Sequence, residues 1–396
     1  MQWHLITPEY PPQFGGVSDY TCQLAAGLSA QGDEVHVWCP QGAGQSNGSN
    51  DPLAAPGVTV HREFGRFAPA DLRAVGRKLD RFPAQRRVLV QWVPHGYGYR
   101  SMNLAFCWWL WKRAAQHGDR IELMVHEPFL RFDWAAPRQN VAALAHRWMT
   151  MLLLHTTGQV WMSIPDWEKM LRPYALGRRV LFRWLPIPSN IPISNDPARV
   201  EAVRRRYANG KGFLIGHFGT YGSLIAKLLE PILSGLADDR ADRVILLIGN
   251  GSEQFRRQLI QKQPHLDGLI QATGALETED LACHLAACDL LIQPYPDGVS
   301  TRRTSFMAGL ANGKPIVTTA GLLTEPLWMQ CDAVAVAPAG DTEAFVEHVR
   351  RLLVDAAERL RMGSAAGRLY QERFDLSHTI SSLRQSETAE DRKCAF

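Results

Sequence analysis

Several things are scarce in this sequence, and each scarcity removes a class of protein. Cysteine occurs seven times (Cys22, Cys39, Cys107, Cys283, Cys288, Cys331 and Cys394), an odd, scattered set with no Cys-x-x-Cys pair. Neither a disulfide framework nor a zinc site follows from such spacing; reduced, mostly buried thiols in a cytoplasmic protein are expected. A basic excess is lacking too. Forty-three Lys and Arg against 39 Asp and Glu give a formal charge of +4, far from the dense cationic stripe that tracks nucleic-acid phosphates, so DNA and RNA are disfavoured as partners. Long apolar runs are missing: Ala105 to Leu110 and Met149 to Leu154 fall well short of a membrane span, and the opening MQWHLITPEYPP lacks the basic and apolar regions of a signal peptide. A soluble chain is expected. No internal repeat or low-complexity tract stands out, and the polar residues 387–396 are expected to fray.

What is present is a rhythm. A chain of 396 residues, 46% hydrophobic and 21% charged, is too long for one core and predicts two domains. Short Val/Ile/Leu-rich runs alternate with longer helical patterns, as in parallel strands buried on both faces. Strands are predicted at Trp3 to Thr7, Glu34 to Cys39, Val88 to Gln91, Ile121 to Val125 and Val160 to Ser163, with a helix from Ser18 to Gln31 completing a first βαβ unit. After the proline-rich linker that follows Leu185, a second series is predicted at Phe213 to His217, Val244 to Ile248, Leu269 to Thr273, Leu290 to Gln293 and Pro315 to Thr319. The expected fold is α/β: two tandem Rossmann-like doubly wound domains, residues 1–190 and 191–370, facing a central cleft, with a helix and tail at 371–396. Ligands in such sheets bind beyond the carboxyl ends of the strands.

Charge divides unevenly: residues 1–190 hold 20 Lys and Arg against 14 Asp and Glu, and residues 191–396 hold 23 against 25. The basic first half contains the cluster Trp108, Trp109, Trp111, Lys112 and Arg113. Two readings stay open, an anionic lipid surface or acceptor on one side and an ordinary core with a solvated face on the other.

The loop after the first strand carries Gly15 and Gly16 just before a helix. Paired glycines there admit a ligand close to the backbone, and the helix start offers unpaired N–H groups to an anion such as a diphosphate; a plain tight turn is the alternative. The pattern P-x-x-x-G-G-V-x-x-Y followed by L-A-x-x-L-x-x-x-G-x-E-V-x-V resembles the opening of family 4 glycosyltransferases of the GT-B fold. Phe218-Gly219, the run Ile248 to Glu253, Thr273 to Leu276 and Gly313 to Val317 follow in the order of that family's nucleotide-binding half. The resemblance runs from Met1 to about Phe374. It implies sugar transfer from a nucleoside diphosphate donor, held mainly by the C-terminal domain, to an acceptor held mainly by the N-terminal one. A nicotinamide cofactor is disfavoured, because Gly249-x-Gly251 is followed by Gln254 where a dinucleotide fingerprint has its third glycine.

The resemblance assigns candidate roles. His126, ending a predicted strand, matches a histidine that reaches the donor sugar, where it would orient a hydroxyl or stabilise charge; a structural cap is the alternative. His95 and Tyr97 are candidate acceptor-side residues or loop packing. Donor binding falls to Gly15, Gly16, Gly219, Thr220, Lys227, Gly249, Thr273, Ala275, Leu276, Gly298, Val299, Ser300, Thr304 and Ser305. The chain also departs from the family. Two glutamates eight residues apart are usual near position 297; here Asp297 stands in for the first with Ser305 at the second place, or, in the alternative register, Ser300 and Ala308 occupy the two places, and neither register restores the pair. The arginine usual after Gly219 is replaced by Thr220. Arg302 and Arg303, at a predicted helix start, are expected to take over the leaving diphosphate, one pointing inward and its neighbour outward; surface ion pairing is the alternative.

A retaining reaction is implied. With no Asp-x-Asp triplet to hold a divalent ion, metal independence is expected and no cofactor beyond the nucleotide-sugar donor. A sugar-nucleotide epimerase of the same architecture and a catalytically silent partner subunit are the competing readings. Excess EDTA should leave the transfer rate within about twofold, less than the roughly 1.4 kcal/mol of a tenfold change. A loss restored by added magnesium overturns the expectation.

Overall fold

The computed structural model describes residues 1–13, 15–41, 55–133, 135–208, 212–237 and 243–391. Phe14 of the first loop and Cys394 of the tail lie outside the described residues, as does the end of the segment expected to fray; 387–391 belong to a helix, Leu376–Asp391. The chain divides into two compact units, residues 1–186 with 376–396, and residues 187–375.

The first unit holds a seven-stranded sheet of β1 (Gln2–Ile6), β2 (Glu34–Cys39), β3 (Val58–Arg62), β4 (Arg87–Trp92), β5 (Arg120–Val125), β6 (Gln159–Met162) and β7 (Leu181–Trp184). They run parallel in the order β3-β2-β1-β4-β5-β6-β7. The second holds β8 (Phe213–Phe218), β9 (Arg243–Ile248), β10 (Ile270–Ala272), β11 (Leu290–Gln293), β12 (Ile316–Ala320) and β13 (Ala335–Pro338), parallel in the order β10-β9-β8-β11-β12-β13. Each is a doubly wound Rossmann-like sheet. The strand order reverses between β1 and β4 and again between β8 and β11, which opens a crevice at those strand ends.

The sequence pattern explains the centre of each sheet. Along β9, Leu246 and Ile248 join one apolar cluster while Ile245 and Leu247 join the cluster on the opposite face, because successive side chains alternate across a strand and both faces are covered by helices. The ten predicted strands all form. Three edge strands, β3, β7 and β13, were not predicted from the sequence; β7 is only partly covered and carries Arg183, so its apolar density is too low to stand out.

Helix Leu376–Asp391 packs on the first unit. Arg87 Nη2 donates to the Leu383 carbonyl at 2.9 Å, and Arg384 lies 3.3 Å from Asp33. The amino ends of β4 and β5 bury charge in pairs: Arg87 spans both oxygens of Glu122 (2.8 and 3.1 Å), and Asp119 accepts from Arg86 and Arg113 at 2.6 Å each. Arg113, placed by one sequence reading on a lipid or acceptor surface and by the other on a solvated face, turns inward instead. Its guanidinium is needed to neutralise Asp119.

Three histidines lie on β1, β2 and β3. His36 Nδ1 is 3.1 Å from His61 Nε2, His61 stacks on Trp38 (3.9 Å between centroids), and His4 accepts from Trp38 Nε1. Burial, with the neighbouring imidazoles adding to it, pushes His4 down to about 3 and His61 down to about 4. Both are neutral in the folded chain and protonated in the unfolded chain below about pH 6.5, so the unfolded state binds more protons and stability falls as pH drops through this window. The denaturation midpoint should be clearly lower at about pH 5 than at about pH 7, and His61→Phe should reduce the difference. An unchanged midpoint would show that the cluster does not couple to folding.

Candidate functional site

In the first unit, the loop after β1 leads into helix Gly16–Ala30. The four first N–H groups of a helix have no partner within it. Here Glu9 supplies one: its Oε1 accepts from Val17 N at 3.1 Å and Ser18 N at 3.0 Å. A Cβ on Gly15 would overlap that carboxylate, so Gly15 is small to admit Glu9. Glu9 thus takes up the Val17 and Ser18 N–H groups at the helix start where Gly15 and Gly16 are expected to admit a diphosphate.

At the carboxyl ends of β4 and β5, His126 Nε2 lies 2.9 Å from Gln91 Oε1. Tyr20 meets the imidazole edge-on at 5.1 Å. Burial pushes His126 down to about 3. It is therefore neutral near pH 7 and acts as a hydrogen-bonding group, with no cationic charge to offer. The buried Gln91 Nε2 and Tyr20 hydroxyl have no hydrogen-bond partner among the described residues. His95 is exposed, its Nδ1 3.7 Å from Glu127. Tyr97 is not on this surface: it is fully buried, stacked between Trp92 and Phe106, and donates its hydroxyl to the Gln91 carbonyl at 2.5 Å. Its acceptor-side reading is corrected to packing, because the turn after β4 folds Tyr97 back onto helix Leu104–His117.

In the second unit the reversal between β8 and β11 gathers most of the sequence candidates. Gln293 Nε2 donates to the Phe218 carbonyl at 3.0 Å and ties the two strand ends together. The loop after β8 exposes Thr220. It enters helix Ser223–Gly235 through Gly222, which has no side chain to cap the first turn. Lys227 is exposed on that helix. The loop after β11 enters helix Thr304–Ala311 through Arg303, whose side chain does not cap it either. Tyr295 accepts or donates to Ser305 Oγ at 2.9 Å, and the Arg303 guanidinium lies 4.9 Å over the Tyr295 ring.

Arg302 Nη2 and Arg303 Nη2 both donate to Asp297 Oδ2, at 3.0 and 3.4 Å. The expected divergence of the two arginines does not occur. Both precede the first helical residue, and Arg303 has an extended backbone (φ −88°, ψ 95°), so the 100° helical step does not apply to them. The far side of this loop is fixed by Glu325, which the sequence reading passed over. Its Oε1 accepts from Thr301 N (2.9 Å) and Oγ1 (2.5 Å), and its Oε2 from Trp328 Nε1 (2.7 Å). Gly298 (φ +84°) abuts Gly321, where any Cβ would collide with backbone. Val299 and Ser300 are buried under the loop.

The remaining candidates line the neighbouring strand ends. The Thr273 hydroxyl accepts from Gly249 N at 3.3 Å and donates to the Gly274 carbonyl at 2.8 Å, which makes it a brace between the loops after β9 and β10. Ala275 is exposed and Leu276 half-buried. His217, also missed from sequence, sits below Gly219 with neither ring nitrogen partnered among the described residues; burial pushes it down to about 3. A histidine inside the apolar run Phe213-Leu-Ile-Gly-His was the available signal.

A family model described as glycosyl transferases group 1 matches residues 215–355, which cover the loops just described. No curated protein sequence matches the chain. Solved structures similar in fold include a sucrose-phosphate synthase from Thermosynechococcus elongatus, 16% identical over 100% of both chains with a TM-score of 0.73. HepE from Anabaena in complex with UDP and glucose is 14% identical over 98% of this chain and 100% of its own, with a TM-score of 0.69. A UDP-forming trehalose-phosphate synthase from Burkholderia xenovorans is 13% identical over 98% and 99%, with a TM-score of 0.67. The chain thus has the GT-B fold, and residues 215–355 of its second unit are similar to group 1 glycosyl transferases.

Two contrasting outcomes test the two helix starts. Glu9→Ala should lower stability by about 1 kcal/mol, as loss of a helix cap does, and leave nucleoside diphosphate affinity unchanged in titration calorimetry. Arg302→Ala and Arg303→Ala should each weaken that affinity about tenfold, and to similar degrees. One silent arginine would restore the divergent reading.

Proposed function

We propose that the protein transfers a glycosyl group from a nucleoside diphosphate sugar bound by the second unit to an acceptor bound by the first, with retention and without a metal ion. One observation carries the reading. At the β8/β11 reversal, inside the matched segment, two helix starts without side-chain caps stand beside a pair of arginines. Backbone N–H groups and the positive ends of helices favour an anion there, whereas the corresponding helix start of the first unit is filled by Glu9.

The chemistry follows from the charge that develops. As the glycosidic bond to phosphate breaks, the diphosphate gains negative charge, and forked guanidinium donors are stronger partners for it than for the bound ground state. Asp297 holds Arg302 and Arg303 ready at the loop. When the diphosphate takes these donors, the half-exposed carboxylate is released toward sugar hydroxyls. His126 contributes a neutral hydrogen-bonding group. Uridine diphosphate is the nucleotide to test first, since HepE is described in complex with UDP-glucose and the trehalose-phosphate synthase as UDP-forming.

A silent partner subunit is the second reading, favoured by Ser305 and Ala308 where the family resemblance implies a glutamate. A thermal-shift panel of UDP, GDP, ADP and dTDP, followed by an assay of diphosphate release from the matching sugar nucleotide, separates the two. The transferase reading expects a stabilising nucleotide and measurable turnover, with Asp297→Asn lowering kcat by about 30-fold or more, equivalent to roughly 2 kcal/mol. Nucleotide binding without any sugar release would favour the silent subunit, and no binding would overturn both.

A further inference from the structure

We propose that the helix pair Leu104–His117 and Pro137–Thr156 of the first unit is a docking surface for an anionic lipid bilayer. The two helices pack on each other, and each turns an apolar face outward. Surface helices normally expose polar residues and bury apolar ones. Here the exposed side includes Leu104 and Trp108 on the first helix and Val141, Leu144 and Trp148 on the second, each between 42% and 62% exposed. Trp108 is further stiffened by stacking on Trp111, 4.6 Å between centroids.

The charge around this face decides what covers it. No Asp or Glu occurs from Arg81 to Gly118 or from Trp134 to Pro165. The exposed ionisable side chains among the apolar ones include Lys112, one turn beyond Trp108, and Arg138, one turn before Val141. A surface for a second copy or a protein partner would carry both signs at its rim to fix orientation. Both helices are free of Asp and Glu along their own length, and acids near their ends are tied to polar partners, Asp133 to Asn140 and Asp80 to Arg113 and His117. Tryptophans beside Lys112 and Arg138 match the headgroup region of an anionic leaflet, where indoles settle at the interface and each cation gains from the surface potential. No helix among the described residues is long and apolar enough to cross a membrane, so the contact is peripheral. The proposal goes beyond sugar transfer and stands on different residues.

The full-length chain is sedimented with vesicles of phosphatidylglycerol and phosphatidylcholine, and with phosphatidylcholine alone. Expected are binding to the anionic vesicles, at least fivefold less on the neutral ones, and loss at 0.5 M salt. Trp108→Ser combined with Trp148→Ser should reduce binding at least fivefold. Lys112→Glu combined with Arg138→Glu should do the same while leaving the apolar face intact, and circular dichroism confirms that each variant folds. Equal binding to both vesicles, binding unaffected by both double variants, no binding, or a lipid-free dimer that the tryptophan variants dissolve would each overturn the proposal.

Discussion

The start of a helix is a set of backbone donors that the helix itself cannot satisfy, and this constraint organises both halves of the molecule. Parallel strands force every crossover helix to begin at the same edge of its sheet. At the point where strand order reverses, those starts gather without a neighbouring helix to cover them. The two units solve the same problem in opposite ways. The first inserts a carboxylate of its own, Glu9, opposite Gly15; the second leaves the starts of Ser223–Gly235 and Thr304–Ala311 to glycine and to arginine side chains that do not cap them. Two sheets of one design therefore differ by a few atoms in whether they present an anion or invite one.

Central strands were readable from sequence because burial on both faces leaves uninterrupted Val, Ile and Leu. Edge strands β3, β7 and β13 lacked that density. The glycine turns were equally readable, and Gly298 lies where the second unit's loops converge. What could not be read was pairing. That Glu9 folds back over eight and nine residues onto Val17 and Ser18 depends on the path of the turn, and no periodicity encodes it. Arg302 and Arg303 were treated as helical neighbours because Ser300 and Thr301 look like a helix start; the helix in fact begins two residues later, and extended backbone brings both guanidiniums onto one carboxylate oxygen. Tyr97 was misplaced for a related reason, since an aromatic residue in a loop after a strand is equally at home in solvent and in the core, and Trp92 and Phe106 decide between them.

The first unit separates its polar groups by strand end. At the amino ends, Asp119 and Glu122 are matched by Arg86, Arg113 and Arg87, and Trp161 donates to Glu122 as well. Such buried pairs are costly to break because the surviving charge stays in a low-dielectric interior. At the carboxyl ends, Gln91 and Tyr20 keep donors without acceptors among the described residues, around a neutral His126. Buried carboxylates are neutralised by guanidiniums at one end of the sheet, and uncharged hydrogen-bonding groups surround a neutral histidine at the other.

The return of helix Leu376–Asp391 to the first unit means that the second unit is, in chain order, an insertion within the first. During synthesis the contiguous residues 187–375 are complete before the ribosome has released the last element of the earlier unit. Until that element emerges, Arg87 lacks the Leu383 carbonyl and Asp33 lacks Arg384. The part made first is thus the part finished last, since the contiguous second unit is complete in chain order before its companion receives the closing helix.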